Sequence, residues 1–597
     1  MKRVKYIFGS LLLLSMSSCQ SYFLDLEPLS SITESVYFTE ADHFREFSNN
    51  FYNKIISLRT VNSGSVGDFL DLGSDLTSYS DSSYGKGSIT APESDTYWTN
   101  CYDYIRDNNM LLEKAEEFDG DQDDIAQYVA AAKFFRAWHH YWLVQRFGGV
   151  PLITRVLDLD SEEIYSKRNS RYEVVAQVLE DLDDAIEDLP REQDISSSDK
   201  GKVSRWAAKA FKARVLLHEA TWMRYVGTTT DGDGTSNGAG SAGYDASNIT
   251  PYLTEAAELA AEVISDGGYT LWNYNSLLDN LSMFYLFNLE DSGSNPAMLT
   301  KATNTEFIFY GMTDYNLYQG NYSISHVVHG RMAPSRKFMD MFLCSDGLPI
   351  DQSTLFKGYY NTSDEYQNRD YRLTSYFNDW STYQIPEDGS VYLLTGPSTS
   401  GDSGSGYSCQ KFGAYEYGSY RSMGSESQNW PHIRLAEVYL IYAEALLELN
   451  GELTDTQLEF SINKTRARAG LPSLTLEFMQ TNGLDIQTEL RRERTVELYG
   501  ENKRYIDLTR WGIAEEELNV DICGSVIEDT NYEDNLTYYI PGAYPYGELS
   551  VETGVGMRRV LWLEPAANRN FQRKHYLYPL PTGQILLNGN LLQNPEY

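Results

Sequence analysis

Gly401-Asp402-Ser403-Gly404-Ser405 sets a serine between glycines, the local pattern of an exposed nucleophile. A serine attacks only when a general base lies beside it and a third group orients that base. The adjacent His139 and His140 belong instead to a patterned helical stretch, and the serine lies in a Gly/Ser-rich insertion that reads as a flexible loop. No HExxH, Walker loop or GxGxxG occurs, and among 85 acidic residues a glycosidase pair would be recognisable only from spatial separation. The expectation is therefore a protein that is not an enzyme, with a glycoside hydrolase as the weaker alternative. Asp231-Gly232-Asp233-Gly234 and the run Asp119 to Asp124 offer oxygen ligands for calcium, but neither has the acid twelve positions from its start that an EF-hand loop needs. The reading is no cofactor, with calcium as the alternative and Asp124 as a helix N-cap.

Binding chemistry is better represented. With 46 tyrosines and 13% aromatic residues, the chain holds more rings than a core requires, so some must be exposed or line something. Trp98 and Asn100, in DTYWTNCYDYIRDNNMLLEKA, fall near a helix start after the acidic, tyrosine-bearing loop DFLDLGSDLTSYSDSSYG. The charged motifs RLAE (434–437), RARAG (466–470) and LRRERTVEL (490–498) resemble an anion site, but in a helical frame such residues pair across helices.

The elements that must position these residues are mainly helices. SRYEVVAQVLEDLDDAIEDLP has 3.6-residue apolar periodicity, a Ser170/Glu173 capping box and Pro190 as its stop. GKVSRWAAKAFKARVLLHEA sets Ala207, Ala210 and Ala213 on one stripe, and IAQYVAAAKFFRAWHHYWLVQRF breaks at Gly148-Gly149. HIRLAEVYLIYAEALLELNG repeats Ala and Glu seven apart, the arithmetic of tetratricopeptide-like helix pairs without a strict 34-residue period. Segments at about 64–100, 268–330 and 345–428 carry most of the aromatic and glycine residues and read as insertions in that frame. No linker divides the chain, so residues 19–597 read as a single domain. The ending YLYPLPTGQILLNGNLLQNPEY has no helical period; its prolines and apolar residues suggest a tail pinned to a core.

MKRVKYIFGSLLLLSMSSCQ joins basic residues to an apolar run too short to span a bilayer, followed by small residues before Cys19. This reads as a lipoprotein signal peptide over residues 1–18, with Cys19 acylated, although Met16 replaces the usual leucine. The formal charge is −37, and it becomes three units more negative when Lys2, Arg3 and Lys5 leave with the leader. Such a chain disfavours nucleic acid. Cys101, Cys344, Cys409 and Cys523 show no CxxC spacing and read as buried thiols or one incidental bridge.

In order along the mature chain, FFRAWHHYWLVQRFGGVPLI, RYEVVAQVLEDLDDAIEDLP, GKVSRWAAKAFKARVLL, APSRKFMDMFLCSDGLPI, YQNRDYRL, WPHIRLAEVYLIYAEAL, INKTRARAGLP and LRRERTVELYGENKRYIDLTRW resemble blocks of the SusD/RagB family of Bacteroidetes nutrient-binding lipoproteins. The ending resembles the family's as well, with Glu596 in place of a usual glycine. The resemblance implies a mostly α, SusD-like fold: tetratricopeptide-like helix pairs bearing a large, irregular, loop-rich ligand-binding face. It implies a lipid-anchored protein on the cell-surface side of the outer membrane. Such a protein captures oligosaccharides for polysaccharide utilization and delivers them, as a lid, to a SusC-like TonB-dependent transporter. Peptide capture, as in relatives near RagB, is the alternative. By the same resemblance the glycan ligands are Trp98, Asn100, Asp75 and Tyr79, with Tyr315 and Tyr318 in TDYNLYQGNY and Trp380 and Tyr383 in FNDWSTYQ. Rings would cover the apolar faces of the sugar while Asp and Asn bond its hydroxyls.

Overall fold

Helices set the architecture because the apolar residues recur with helical period along them. The computed structural model describes residues 37–55, 70–77, 83–231, 237–317, 332–378, 383–384, 391–392, 405–413, 426–533 and 546–597. Its principal helices are α1 (Thr96–Glu116), α2 (Ala126–Phe147), α3 (Arg171–Asp188), α4 (Arg205–Tyr225), α5 (Ile249–Asp266), α6 (Leu435–Asn450), α7 (Ile486–Glu497) and α8 (Arg504–Arg510). From α1 to α7 each packs on the next, so α5 meets α6 directly although a long insertion separates them in sequence. Ala207, Ala210 and Ala213 are fully buried on α4, where small side chains permit close approach of its neighbours.

The local signals behave as their chemistry requires. Ser170 Oγ accepts from Glu173 N at 3.1 Å and Glu173 Oε2 accepts from Ser170 N at 2.8 Å, completing the capping box of α3. Gly148 ends α2 at φ +75°, and a Cβ there would stand 2.2 Å from Asp231 Oδ1. One cap differs from expectation: α2 begins at Ala126, and Asp121, not Asp124, caps the short turn before it.

The insertion returns to the frame through antiparallel strands. β1 (Phe307–Gly311) pairs with β4 (Trp430–Arg434), which runs straight into α6. Two-residue strands β2 (Tyr383–Gln384) and β3 (Val391–Tyr392) pair with each other, and β5 (Ile522–Val526), β6 (Glu548–Thr553) and β7 (Gly556–Glu564) form a sheet of order β5-β7-β6. A main hydrophobic core lies among α1–α6, and a second gathers Leu76, Phe338, Phe377, Cys409, Trp430 and Tyr499 under the insertion.

Between the two cores the charged motifs pair across helices, as expected. Glu497, at the end of α7, accepts from Arg434 (2.6 Å), Arg372 (2.9 Å) and Arg468, all fully buried. Arg434 also meets Glu306 at 2.9 Å, and Arg372 meets Glu493 at 2.6 Å. Removing one partner from such a network strands buried charge at a cost of about 3–5 kcal/mol. Cys101, Cys344, Cys409 and Cys523 are buried free thiols.

The tail is pinned, as its prolines suggested. Tyr578 N donates to Arg146 O at 2.7 Å, and Leu577 and Leu580 are fully buried. Arg168 donates to Gly149 O, Phe147 O, Leu592 O and Asn594 Oδ1 at 2.7–2.9 Å. A last short helix, α9 (Thr582–Leu587), lies within this tail.

Candidate functional site

The three loop regions expected to meet a ligand spring from one core. Ser335 N donates to Leu76 O at 2.8 Å, Asn378 N to Ser408 O at 3.1 Å, and Thr313 N to Asn429 Oδ1 at 3.1 Å. Leu76, Phe377 and Trp430 beside these bonds belong to the second hydrophobic core, so the described chain at 75–77, from Thr313 and up to Asn378 shares a base. Tyr79, Tyr318 and Trp380 lie outside the described residues, as does Ser403. Tyr383 pairs with Tyr392 in the β2–β3 ribbon, and Tyr315 is half-buried at the start of a turn capped by Asp314.

Two of the expected ligands serve the fold. Trp98 is 5% exposed, its ring edge-on to Phe147 at 5.4 Å and tilted on Tyr102 at 5.1 Å. The helix starts earlier than expected: Asp95 caps it, accepting from Tyr97 N at 2.8 Å and Trp98 N at 3.2 Å. That start turns Trp98 inward with Cys101 and Ile105, so it is no open platform. Asp75 is fully buried and bound by Arg504 (2.9 and 2.8 Å) and Lys337 (2.7 Å). Burial raises its pKa, but the two cations outweigh that and hold it below the usual carboxylate range. Asn100 is half-buried on α1.

The ring at this helix start that lines an opening is that of Tyr97, half-buried at the edge of the core. It borders a cleft of about 390 Å³ whose wall includes Tyr84, Ser94, Asp95, Thr96, Arg146 and Tyr578. The Arg146 guanidinium stands 4.0 Å from the Tyr578 ring centroid and 4.5 Å from that of Tyr97, and its Nη2 donates to Asp95 Oδ2 at 2.8 Å. Trp142 stacks behind Tyr97, 6.1 Å away at 7°. Burial pushes the Tyr578 hydroxyl well above its ordinary pKa, and the buried oxygen has no partner among the described residues. Fixed rings, a guanidinium and the exposed Ser94 and Thr96 therefore converge on one opening. Tyr97 lies four residues before Cys101, at the edge of the inward stripe Trp98-Cys101-Ile105, so periodicity does not single it out as the ring lining an opening. Nothing local linked Arg146 and Tyr578 to it.

A second cleft, of about 350 Å³, lies against the turn that bears Tyr315, lined by Tyr52, Tyr310, Met312, Asp314 and Leu317 among others. Among the described residues no group of three His, Cys, Asp or Glu could hold a metal ion. His139 and His140 are buried in α2, and burial lowers both to about 3, with the Arg136 guanidinium adding to the effect at His140.

Comparison with known proteins gives these features a family. A model described as the SusD family matches residues 219–597, and another, described as "Starch-binding associating with outer membrane", matches 23–217. The chain belongs to the SusD family. It is 24% identical over 617 residues to SusD-like protein P2 of Formosa agariphila, covering 100% of both. Among solved structures, a SusD-like carbohydrate binding protein from Bacteroides fragilis superposes with TM-score 0.67 at 19% identity, covering 93% of this chain and 99% of that one. A laminarin binding SusD-like protein superposes with TM-score 0.55 at 21% identity, covering 94% and 100%. The helical SusD-like fold is thus shared with both.

Proposed function

We propose that this protein is a surface glycan-binding lipoprotein that captures oligosaccharides and delivers them to a SusC-like TonB-dependent transporter, performing no chemistry on the sugar. The observation that carries the reading is the cleft at the start of α1, where Tyr84, Tyr97 and Tyr578 surround Arg146 beside Asp95, Ser94 and Thr96. Tyrosine faces suit the apolar faces of a pyranose, and the hydroxyl, carboxylate and guanidinium groups suit its hydroxyls. Support comes from relatives named as carbohydrate binding and laminarin binding, and from the starch-binding, outer-membrane description of the family model. Asn100 and Tyr315 are proposed as further contacts, together with Tyr79, Tyr318, Trp380 and Tyr383.

A lipid on Cys19 would hold the protein at the outer membrane. No helix among the described residues is long and apolar enough to cross a bilayer, so passage of a polar sugar calls for a partner. Tethering binder and transporter in one membrane raises their effective concentration, and opening at one edge then admits ligand without dissociation, as a lid does. Isothermal titration of the lipid-free form against neutral glycans and peptides tests the capture step. Glycan binding that Tyr97→Ala weakens is expected. Binding of peptides alone, or turnover of a bound glycan, would overturn it.

A further inference from the structure

The helical frame encloses a second, polar space. A chamber of about 80 Å³ is lined from α2, α4, α6, α7 and α8; Trp142, Gln145 and Lys503 are partly exposed along it, whereas Trp138, Tyr141, Arg494 and Asn502 are buried. One water takes up about 10–15 Å³ of such a cavity, so there is room for about five to eight waters or for one small polyatomic ion.

The buried polar atoms of the lining are unevenly matched. Among the described residues, Trp138 Nε1, Tyr141 Oη, Arg494 Nη1 and Asn502 Oδ1 have no hydrogen-bond partner. Indole and guanidinium nitrogens only donate, and burial raises the Tyr141 phenol well above its ordinary pKa, so it keeps its proton. Three open donors thus stand against one open acceptor. Arg494 comes from the stretch LRRERTVEL; its Nε pairs with Asp507 at 2.7 Å, yet its Nη1 is left over.

Cations gather at the same place. The Arg214 guanidinium stands 5.9 Å from the Trp138 ring centroid. Burial, with Arg214 and Arg494 close by, lowers the Lys503 ammonium to about 8 against the pull of Glu437. The carboxylates of the lining are already taken. Glu437 accepts from Arg214 at 2.7 Å and Lys503 at 3.1 Å, Asp507 from Arg494 at 2.7 Å and Arg510 at 2.9 Å, and Glu501 from Arg434 and Lys411 at 2.8 Å. In a chain of charge −37, the hydrogen-bonding capacity left open here is nevertheless that of donors.

This imbalance selects the occupant. A metal cation would meet N–H groups, and a neutral hydroxyl would bring a donor of its own into a space with one open acceptor. An oxyanion brings acceptors only, and charge-assisted bonds from buried donors are the strong ones. The donors come from α2, from α7 and from the residue before α8, which suits oxygens that point several ways from one centre. We propose that the chamber is a binding site for a tetrahedral oxyanion, sulfate or phosphate, held by Trp138, Tyr141, Arg494 and Lys503. The assignment is independent of glycan capture, and the anion has two sources, the free ion or an ester on a sugar. A smaller cavity of about 30 Å³ shares Trp142 and Gln145 with the chamber, and Tyr97, Arg146 and Tyr578 with the cleft at the start of α1, so the second source has a route.

The test is calorimetric titration of the lipid-free protein with inorganic sulfate, inorganic phosphate and glucose 6-sulfate, with glucose as the control, repeated on Tyr141→Phe and Lys503→Met. Tyr141→Phe removes one oxygen, and Lys503→Met leaves Glu437 paired with Arg214, so thermal unfolding of both should match that of the unaltered protein. The expected result is saturable one-to-one binding of at least one of the three anions, weakened at least about tenfold in each variant. Tighter binding of the sugar sulfate than of either inorganic ion identifies the ester as the source, and tighter binding of an inorganic ion identifies the free ion. Absence of saturable binding by all three anions overturns the proposal. So does anion binding that either variant retains at full strength, or glucose binding as tightly as its sulfate.

Discussion

Replacing Trp98 or its neighbour Tyr97 by alanine should damage different properties. A buried aromatic side chain removes about 150–250 Å² from water, which at about 25 cal/mol per Å² amounts to about 4–6 kcal/mol. Large-to-small substitutions of buried rings cost about 3–5 kcal/mol. Trp98 fits that class, being 5% exposed and in ring contact with Phe147 and Tyr102. Tyr102 in turn donates to Pro151 O at 2.8 Å, so a cavity at Trp98 would loosen the hold of α1 on the segment after α2. Trp98→Ala should therefore lose about 3–5 kcal/mol in urea unfolding of the lipid-free protein. Tyr97 is half-buried at the edge of the core, where it stacks on Trp142. Tyr97→Ala should change stability by less than about 1 kcal/mol yet weaken glycan binding by about 1–3 kcal/mol in isothermal titration. A stable Trp98→Ala that loses binding, beside a Tyr97→Ala that retains it, would refute the assignment of the two faces.

Glu497 is held at about 2 in the fold: burial raises its pKa, but Arg468, Arg434 and Arg372 together lower it from 4.5. Its contribution, about 3 kcal/mol, is present above about pH 4.5 and lost as pH falls toward 2. Glu497→Gln should accordingly flatten that part of the acid limb in urea unfolding and cost about 3–5 kcal/mol at neutral pH. Gly148→Ala forces a Cβ to 2.2 Å from Asp231 Oδ1 at φ +75°, so its urea midpoint should drop, by more than about 2 kcal/mol in free energy. Cys19→Ala should abolish acyl labelling and release the protein from membranes prepared without the transporter; retention there would defeat the anchor.

The helical frame was legible in the sequence because its signals are local. Ser170 and Glu173 lie three apart, Ala207, Ala210 and Ala213 repeat along one face, and each pattern forms its element without distant help. The pairing of the arginine motifs was legible too, since an isolated buried guanidinium is too costly to leave uncompensated. The candidate site was only half readable. Its neighbourhood at the start of α1 was visible, but the ring lining the cleft depended on which residue caps the helix, and Asp95 advanced the start enough to turn Trp98 inward. Arg146 and Tyr578 reach the cleft from the end of α2 and from the tail, a convergence that no short-range pattern encodes.

The hold of Arg168 on the tail has a temporal side. Its bonds to Leu592 O and Asn594 Oδ1 join residues 424 and 426 positions apart. At 5–20 residues per second, about 20–85 s of synthesis separates the arginine from its acceptors. Throughout that interval the guanidinium, later buried beside α2, keeps donors that only water can satisfy, and the α2–α3 connection stays unsealed. Sealing of the α2–α3 connection thus waits on residues 592–594 wherever the chain folds.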